Sequence, residues 1–215
     1  MDAHATSLLL KYANINVNLK NEHGITPLIR CCYEGDKSLQ IAKLLLARND
    51  INVNLQANDG CTPLLMCCQQ GDSTSLQIAN TLLAHKDIDV NLPENDGWTP
   101  LIMCCYEGDK SLQIAQSLLQ YKKITLNNPH GPNPLDKIMQ QILQGHKNYQ
   151  YVKLWNLLVV KGAMLNLHQK TYNSLNLNNF QEPQQTYVRL IKQNPPKNST
   201  NTKLMDNKEE TKEDE

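Results

Sequence analysis

The chain has 215 residues, and 21 Lys and Arg against 21 Asp and Glu leave a formal net charge of zero; that length suits one domain of ordinary size, or a shorter one with a tail, and either buries a real core. Neutrality is a cancellation, since the balance is about −3 over residues 1–127, +7 over 128–205 and −4 over 206–215. Nine glycines and a single phenylalanine leave little room for phosphate-cradling loops or a glycine-turn β-barrel.

The N-terminal MDAHATSLLLKY lacks the basic start and apolar length of a secretory signal peptide. No apolar run approaches the roughly 18 residues needed to span a bilayer. Seven cysteines, an odd number without a leader, favour a reducing compartment. A soluble, cytoplasmic protein is expected.

From Ile15 onward the chain repeats itself. INVN starts at Ile15 and again at Ile51, IDVN at Ile88 and ITLN at Ile124, with a looser MLN at Met164. In phase with that ladder run GITPLIRCC from Gly24, GCTPLLMCC from Gly60, GWTPLIMCC from Gly97 and a degraded GPNPLDKIM from Gly131, spaced by 36, 37 and 34 residues. Periods of about 20–50 residues mean stacked units. The string CCYEGDKSLQIA recurs letter for letter at Cys31 and Cys104, which modular construction explains and a chemical centre built once does not.

Within a unit, Thr26, Thr62 and Thr99 are placed to cap a helix, and Pro27, Pro63 and Pro100 suit its first position, where a missing N–H costs nothing. Gly35, Gly71 and Gly108 are placed to end it in the left-handed conformation. A second helix is expected to start near Ser38, Ser75 and Ser111, where LQIAKLLL, LQIANTLL and LQIAQSLL put apolar residues on one broad face.

These residues resemble the ankyrin repeat, in which G-x-T-P-L precedes a first helix with two alanines, a second helix carries paired leucines, and a D-V-N turn follows. The likeness covers residues 8–166. It implies an all-α repeat solenoid of helix-turn-helix units with projecting β-turns: a partial repeat over 1–19, four repeats over 20–56, 57–93, 94–127 and 128–166, a C-terminal cap over 167–194, and a disordered, acidic-tipped tail over 195–215. DAHATSLLLKY aligns with a second helix, so the chain either opens on a capping helix or is a fragment of a longer ankyrin protein. Two departures stand out. The histidine that usually follows T-P-L is Ile29, Leu65 and Ile102, and the segments GDKS and GDSTS lengthen the connection between helices, predicting a protruding turn.

Cys31/Cys32, Cys67/Cys68 and Cys104/Cys105 take the places of the family's two alanines, so buried free thiols are expected. A disulfide ladder is disfavoured, because stacked helices lie about 8–10 Å apart and a bridge needs Cα atoms within roughly 7 Å. A zinc site is disfavoured because adjacent cysteines diverge on a helix and no histidine recurs beside them. No metal and no other cofactor are expected, and Cys61, on a turn, is expected to be the first thiol to react.

Further along, VKLWNLLVVKGAMLN restores a good second helix with Trp155 in the core. TYNSLNLNNFQEPQQTYVRLIK supplies apolar residues for a cap, with a helix over Gln184 to Gln193 that Pro195 and Pro196 end. KNSTNTKLMDNKEETKEDE is too polar to offset its ordering entropy. Its acidic tip reads as a solubilising end, as a strap on the basic segment before it, or as an export signal resembling those of effectors that intracellular bacteria deliver into host cells. The Asn, Lys and Ile content fits the AT-rich genomes of such bacteria, as it fits those of some protists.

Catalysis is not expected. The histidines at 4, 23, 85, 130, 146 and 168 have no partner at a triad or metalloprotease spacing, and the nearest pair, His130 with Asp136, falls in the degraded repeat. The likeness implies instead a monomeric scaffold for protein–protein interaction, working through the concave side made of turn tips and exposed first-helix ends. Here that selects Glu22, His23, Ile25, Tyr33 and Glu34, then Asn58, Asp59, Cys61, Gln69 and Gln70, then Asn95, Asp96, Trp98, Tyr106 and Glu107. The charges among them are all acidic, which favours a partner with a basic patch. Trp98 occupies the turn position that Ile25 and Cys61 occupy, so the stack does not require an indole there. It either packs across the neighbouring turn or anchors a partner between Tyr33 and Tyr106. The alternative function is nucleic-acid association through residues 128–205, although the nine Lys and Arg there form no dense run and lack interleaved aromatics. One more implication of the likeness is hydroxylation of Asn54 and Asn91, which resemble the asparagines modified in ankyrin repeats by a eukaryotic hydroxylase.

Overall fold

Threonine hydroxyls start the first helix of each unit as their chemistry demands. The Ile29 N–H donates to Thr26 Oγ1 at 3.2 Å, the Leu65 N–H to Thr62 Oγ1 at 3.1 Å and the Ile102 N–H to Thr99 Oγ1 at 3.4 Å, with proline next in line each time. The computed structural model describes residues 15–34, 38–127, 133–143, 154–155 and 157–158. In chain order its helices are α1 (Pro27–Glu34), α2 (Leu39–Leu46), α3 (Pro63–Gln70), α4 (Ser73–Leu83), α5 (Pro100–Glu107), α6 (Leu112–Leu118) and α7 (Pro134–Leu143). Residues 154–155 and 157–158 are helical too. No strand occurs among the described residues.

The first helices α1, α3, α5 and α7 stack in one layer, and α2, α4 and α6 stack in a second behind them. Equivalent residues form columns through the stack: Leu28, Leu64, Leu101 and Leu135 from the first helices, Ile41, Ile78 and Ile114 from the second, and Val17, Val53 and Val90 from the turns, all buried. Ile29, Leu65 and Ile102 are buried as well, so apolar contact fills the place of the family's histidine. Trp155 is 1% exposed and belongs to the core, as expected from its setting.

Gly71 ends α3 in the left-handed region at φ 66° and ψ 7°, and Asp72 caps α4, its carboxylate accepting from the Ser75 N–H at 2.7 Å. Ser38 and Ser111 make no capping bond. Their hydroxyls serve other contacts: Ser111 Oγ donates to the Cys68 carbonyl of the preceding unit, and Ser38 Oγ to Glu34. In the third unit the GDKS segment keeps Asp109 and Lys110 exposed. It forms a 3-10 turn, Gly108–Ser111, whose first and last residues are buried. A Cβ on Gly71 would come within 2.6 Å of Lys110 Cβ, so one connector is stacked on the next.

All seven cysteines are free and buried. Cys32 stands beside Cys67 and Cys68 beside Cys104, across adjacent first helices. Side chains thus meet in pairs that helix spacing alone did not suggest, yet remain unbridged. Cys61, expected to react first, is buried at 6% exposed, against 0% for the other six, and burial, reinforced by Asp59, pushes its pKa up to about 12.

Asparagine amides clamp each unit to the next. Asn18 Nδ2 donates to the Asp50 carbonyl at 2.7 Å while its Oδ1 accepts from the Asn52 N–H at 2.8 Å. Asn54 repeats this with Asp87 and Asp89 at 2.6 and 3.0 Å, and Asn91 with Lys123 and Thr125 at 2.7 and 2.8 Å. Asn54→Ala should therefore cost about 2 kcal/mol, two bonds at roughly 1 kcal/mol each. Asn54→Asp should cost as much, because a carboxylate has no proton to give Asp87. Urea denaturation checks both, and wild-type stability in the aspartate variant would refute the clamp.

The outer helix expected before residue 15, Gly35 as a helix stop, His130, the 167–194 cap and the 195–215 tail lie outside the described residues.

Candidate binding face

The turn tips are tight hairpins held by paired backbone bonds. Asn21 and Ile25, Ala57 and Cys61, and Glu94 and Trp98 close them, each first residue donating its N–H to the carbonyl of the second at 3.2, 2.9 and 3.0 Å. Side chains brace the loops differently in each unit: Asn21 Oδ1 accepts from the N–H groups of His23 and Ile25, Glu94 from those of Asp96 and Trp98, and Asp59 from Cys61 where Ala57 has nothing to offer.

Neighbouring tips are then stitched together. The Asn58 N–H donates to the His23 carbonyl and its Nδ2 to the Glu22 carbonyl; Asn95 does the same to Asp59 and Asn58, all four bonds lying between 2.9 and 3.0 Å. Gln56 Nε2 adds a bond to the Pro93 carbonyl at 2.9 Å. Glycine is required at this approach. Gly60 has φ 85°, and a Cβ there would stand 2.6 Å from the Asn95 backbone nitrogen. Gly60→Ala should cost about 2–3 kcal/mol, combining the left-handed penalty with at least one lost stitch; a loss under about 0.5 kcal/mol in chemical denaturation would show that the tips give way freely.

Of the residues selected from the sequence, Glu22, His23, Tyr33, Asn58, Asp59, Gln69, Asn95, Asp96 and Tyr106 are exposed, and Ile25, Glu34, Gln70, Trp98 and Glu107 are half-buried. Cys61 does not join them, being buried. Asn58 and Asn95 have their amide N–H groups engaged in the stitches. Trp98 and Tyr106 come together, with ring centroids 5.2 Å apart and an edge-to-face angle of 87°, so the indole packs on its own unit's first helix.

The sequence selected only acidic charges for this face, but cations from the chain itself pair with it. Arg30 Nε lies 2.6 Å from Glu34 Oε1, and its guanidinium is 5.7 Å from the Tyr33 ring centroid. That hydrogen bond holds the Glu34 carboxyl below its ordinary range. Lys110 Nζ is 2.8 Å from Glu107. Lys137, from α7, places its ammonium 4.3 Å from the Trp98 ring centroid. Arg30 and Lys137 were missed as parts of this surface. The signal was present: both stand three residues after the helix-opening proline, the position that Met66 and Met103 fill in the units between.

Among the described residues no cluster of three or more His, Cys, Asp or Glu could hold a metal ion, and no helix is long and apolar enough to cross a membrane. Residues 36–130 match the family model for ankyrin repeats in three copies. Among solved structures the chain is similar to the ankyrin repeat protein EF0377, with 24% identity, 76% of this chain and 77% of that one covered, and a TM-score of 0.64. It is also similar to an ankyrin repeat domain from Acinetobacter baumannii AYE, with 23% identity, 75% and 76% covered, and a TM-score of 0.59. No curated protein matches the sequence.

Proposed function

Because the chain carries ankyrin repeats and stacks them in the ankyrin fold, we propose that it is a non-enzymatic scaffold that binds another protein through the face made of turn tips and first-helix ends. The observation that carries this reading is where apolar surface is left open. Only three large hydrophobic residues are exposed among the described ones, and two of them, Tyr33 at 57% and Tyr106 at 46%, lie on that face. Interface energy concentrates in a few residues among which Trp, Tyr and Arg are enriched, and Trp98 lies against Tyr106. The exposed carboxylates Glu22, Asp59 and Asp96 suit a partner with a basic patch, even with Glu34 and Glu107 already paired.

Affinity capture with the full chain as bait, read by mass spectrometry, tests the reading. The expected result is a protein retained by the wild type and lost when Tyr33 and Tyr106 are both changed to Ala. Retention by both baits would place the site elsewhere. A finer reading, delivery into a host cell as an effector, is supported by the acidic composition of residues 206–215. Deleting that segment should abolish transfer of a reporter fusion in an infection assay, and unchanged transfer would sink it.

A further inference from the structure

Three features of the molecule have no role in the scaffold reading so far: the buried thiol pairs, the clamping asparagines, and the cation on Trp98. The thiols are sealed from solvent and the asparagines are fully used by the stack. The cation is different. Lys137 places its ammonium 4.3 Å from the Trp98 ring centroid, and among the described residues no carboxylate pairs with it. What holds the charge is the negative face of the indole, and Trp is the best of the aromatic side chains for that purpose.

The indole is presented for this. Its own backbone N–H is fixed by Glu94 at 3.0 Å, and the Tyr106 ring meets it at 87°, which leaves an indole face for the ammonium. The other side of the comparison lies in repeat one, where the cation at the matching helix position, Arg30, is committed to Glu34 at 2.6 Å. Among the described residues Lys137 has no such commitment. A four-carbon stem with large rotamer entropy, held at its tip among the described residues by the half-buried Trp98 ring, is an easily displaced occupant.

Resting on the protein-binding reading above, we propose that the Trp98 indole, edged by Tyr106, is a seat for a lysine or arginine side chain from a partner's basic segment, and that Lys137 occupies this seat in the free chain and is displaced on binding. Asp96, exposed two residues before Trp98 in the same turn, supplies the charge that draws such a segment in. The internal occupant competes, so the free chain binds more weakly than one without it.

The probe is a lysine-rich octapeptide, with the same peptide acetylated on every lysine as its neutral counterpart. The full chain is labelled with nitrogen-15, and its two indole N–H signals are assigned with Trp98→Ile. The Trp98 signal should move saturably with the charged peptide and stay still with the acetylated one. Lys137→Gln should tighten binding by about two- to fivefold, the value of an exposed cation–π contact. Trp98→Phe, which keeps an aromatic face, should retain part of the affinity that Trp98→Ile loses. A Trp98 signal that does not move at saturation, or one affinity shared by wild type, Lys137→Gln and Trp98→Ile, would overturn the seat and leave only general charge attraction. A captured protein that needs Tyr33 and Tyr106 but still binds after its lysines and arginines are neutralised would sink this proposal while the scaffold reading stands.

Discussion

Raising the pH from 8 to 10 should unfold the array, and the buried thiols should be the cause. Burial pushes the pKa of six of the seven upward, those of Cys31 and Cys61 to about 12 and those of Cys32, Cys68, Cys104 and Cys105 in the same direction. In the unfolded chain the same groups ionise near 9.0. Below that value both states are protonated and the groups cost nothing. Above it the unfolded chain releases protons that the folded one keeps, so stability falls by about 1.4 kcal/mol per thiol for each pH unit. The five thiols pushed furthest, Cys31, Cys32, Cys61, Cys68 and Cys105, together forfeit roughly 7 kcal/mol by pH 10, comparable to the whole stability of an ordinary domain. Thermal melting under reducing conditions at pH 8, 9 and 10 should show a steep fall for the wild type. A variant with Ala at all six positions should fall far less. Parallel curves for the two would mean that the thiols are not the titrating groups.

Trp155→Ala should cost about 3–5 kcal/mol, the usual range for truncating a large buried aromatic side chain. The indole is 1% exposed between Leu154 and Leu158, themselves at 1% and 0%. The size of the effect matters because the fourth unit begins with GPNPLDKIM in place of a clean T-P-L start. In a solenoid each unit leans only on its neighbours, so a poorly docked end would fray without disturbing the rest. Leu135 and Ile138 of α7 are fully buried, and α7 packs on α5. The main denaturation transition should therefore move as a whole. An unchanged midpoint would show that the fourth unit folds apart from the first three.

What could be read ahead of the structure was whatever is local or periodic. The Thr-Pro starts are local hydrogen bonds, and the leucine and isoleucine columns follow from spacing, so helices and core were legible residue by residue. The second-helix starts near Ser38, Ser75 and Ser111 were legible in the same way, whereas the bond from the Ser111 hydroxyl to the Cys68 carbonyl of the preceding unit has no trace in local sequence. The burial of Cys61 was hidden for a similar reason: its turn is stitched to the next one through Asn95, which buries a position that looks open in a single repeat. On the candidate face, Trp98 and Tyr106 were selected individually, but their edge-to-face contact depends on how a turn folds back over its helix. Lys137 was counted only as part of a basic stretch, because the degraded fourth repeat hides its register with Arg30.

The most direct test of the account is the affinity of the captured partner for wild type and for Trp98→Ile, measured by titration calorimetry. Isoleucine already occupies the equivalent turn position at Ile25, so the substitution removes the aromatic face and leaves a residue that the stack accepts. Binding should weaken at least about tenfold, equivalent to roughly 1.4 kcal/mol, with thermal melting close to that of the wild type. Equal affinity for the two proteins would contradict the claim that this face, with Trp98 at its centre, is where the protein does its work.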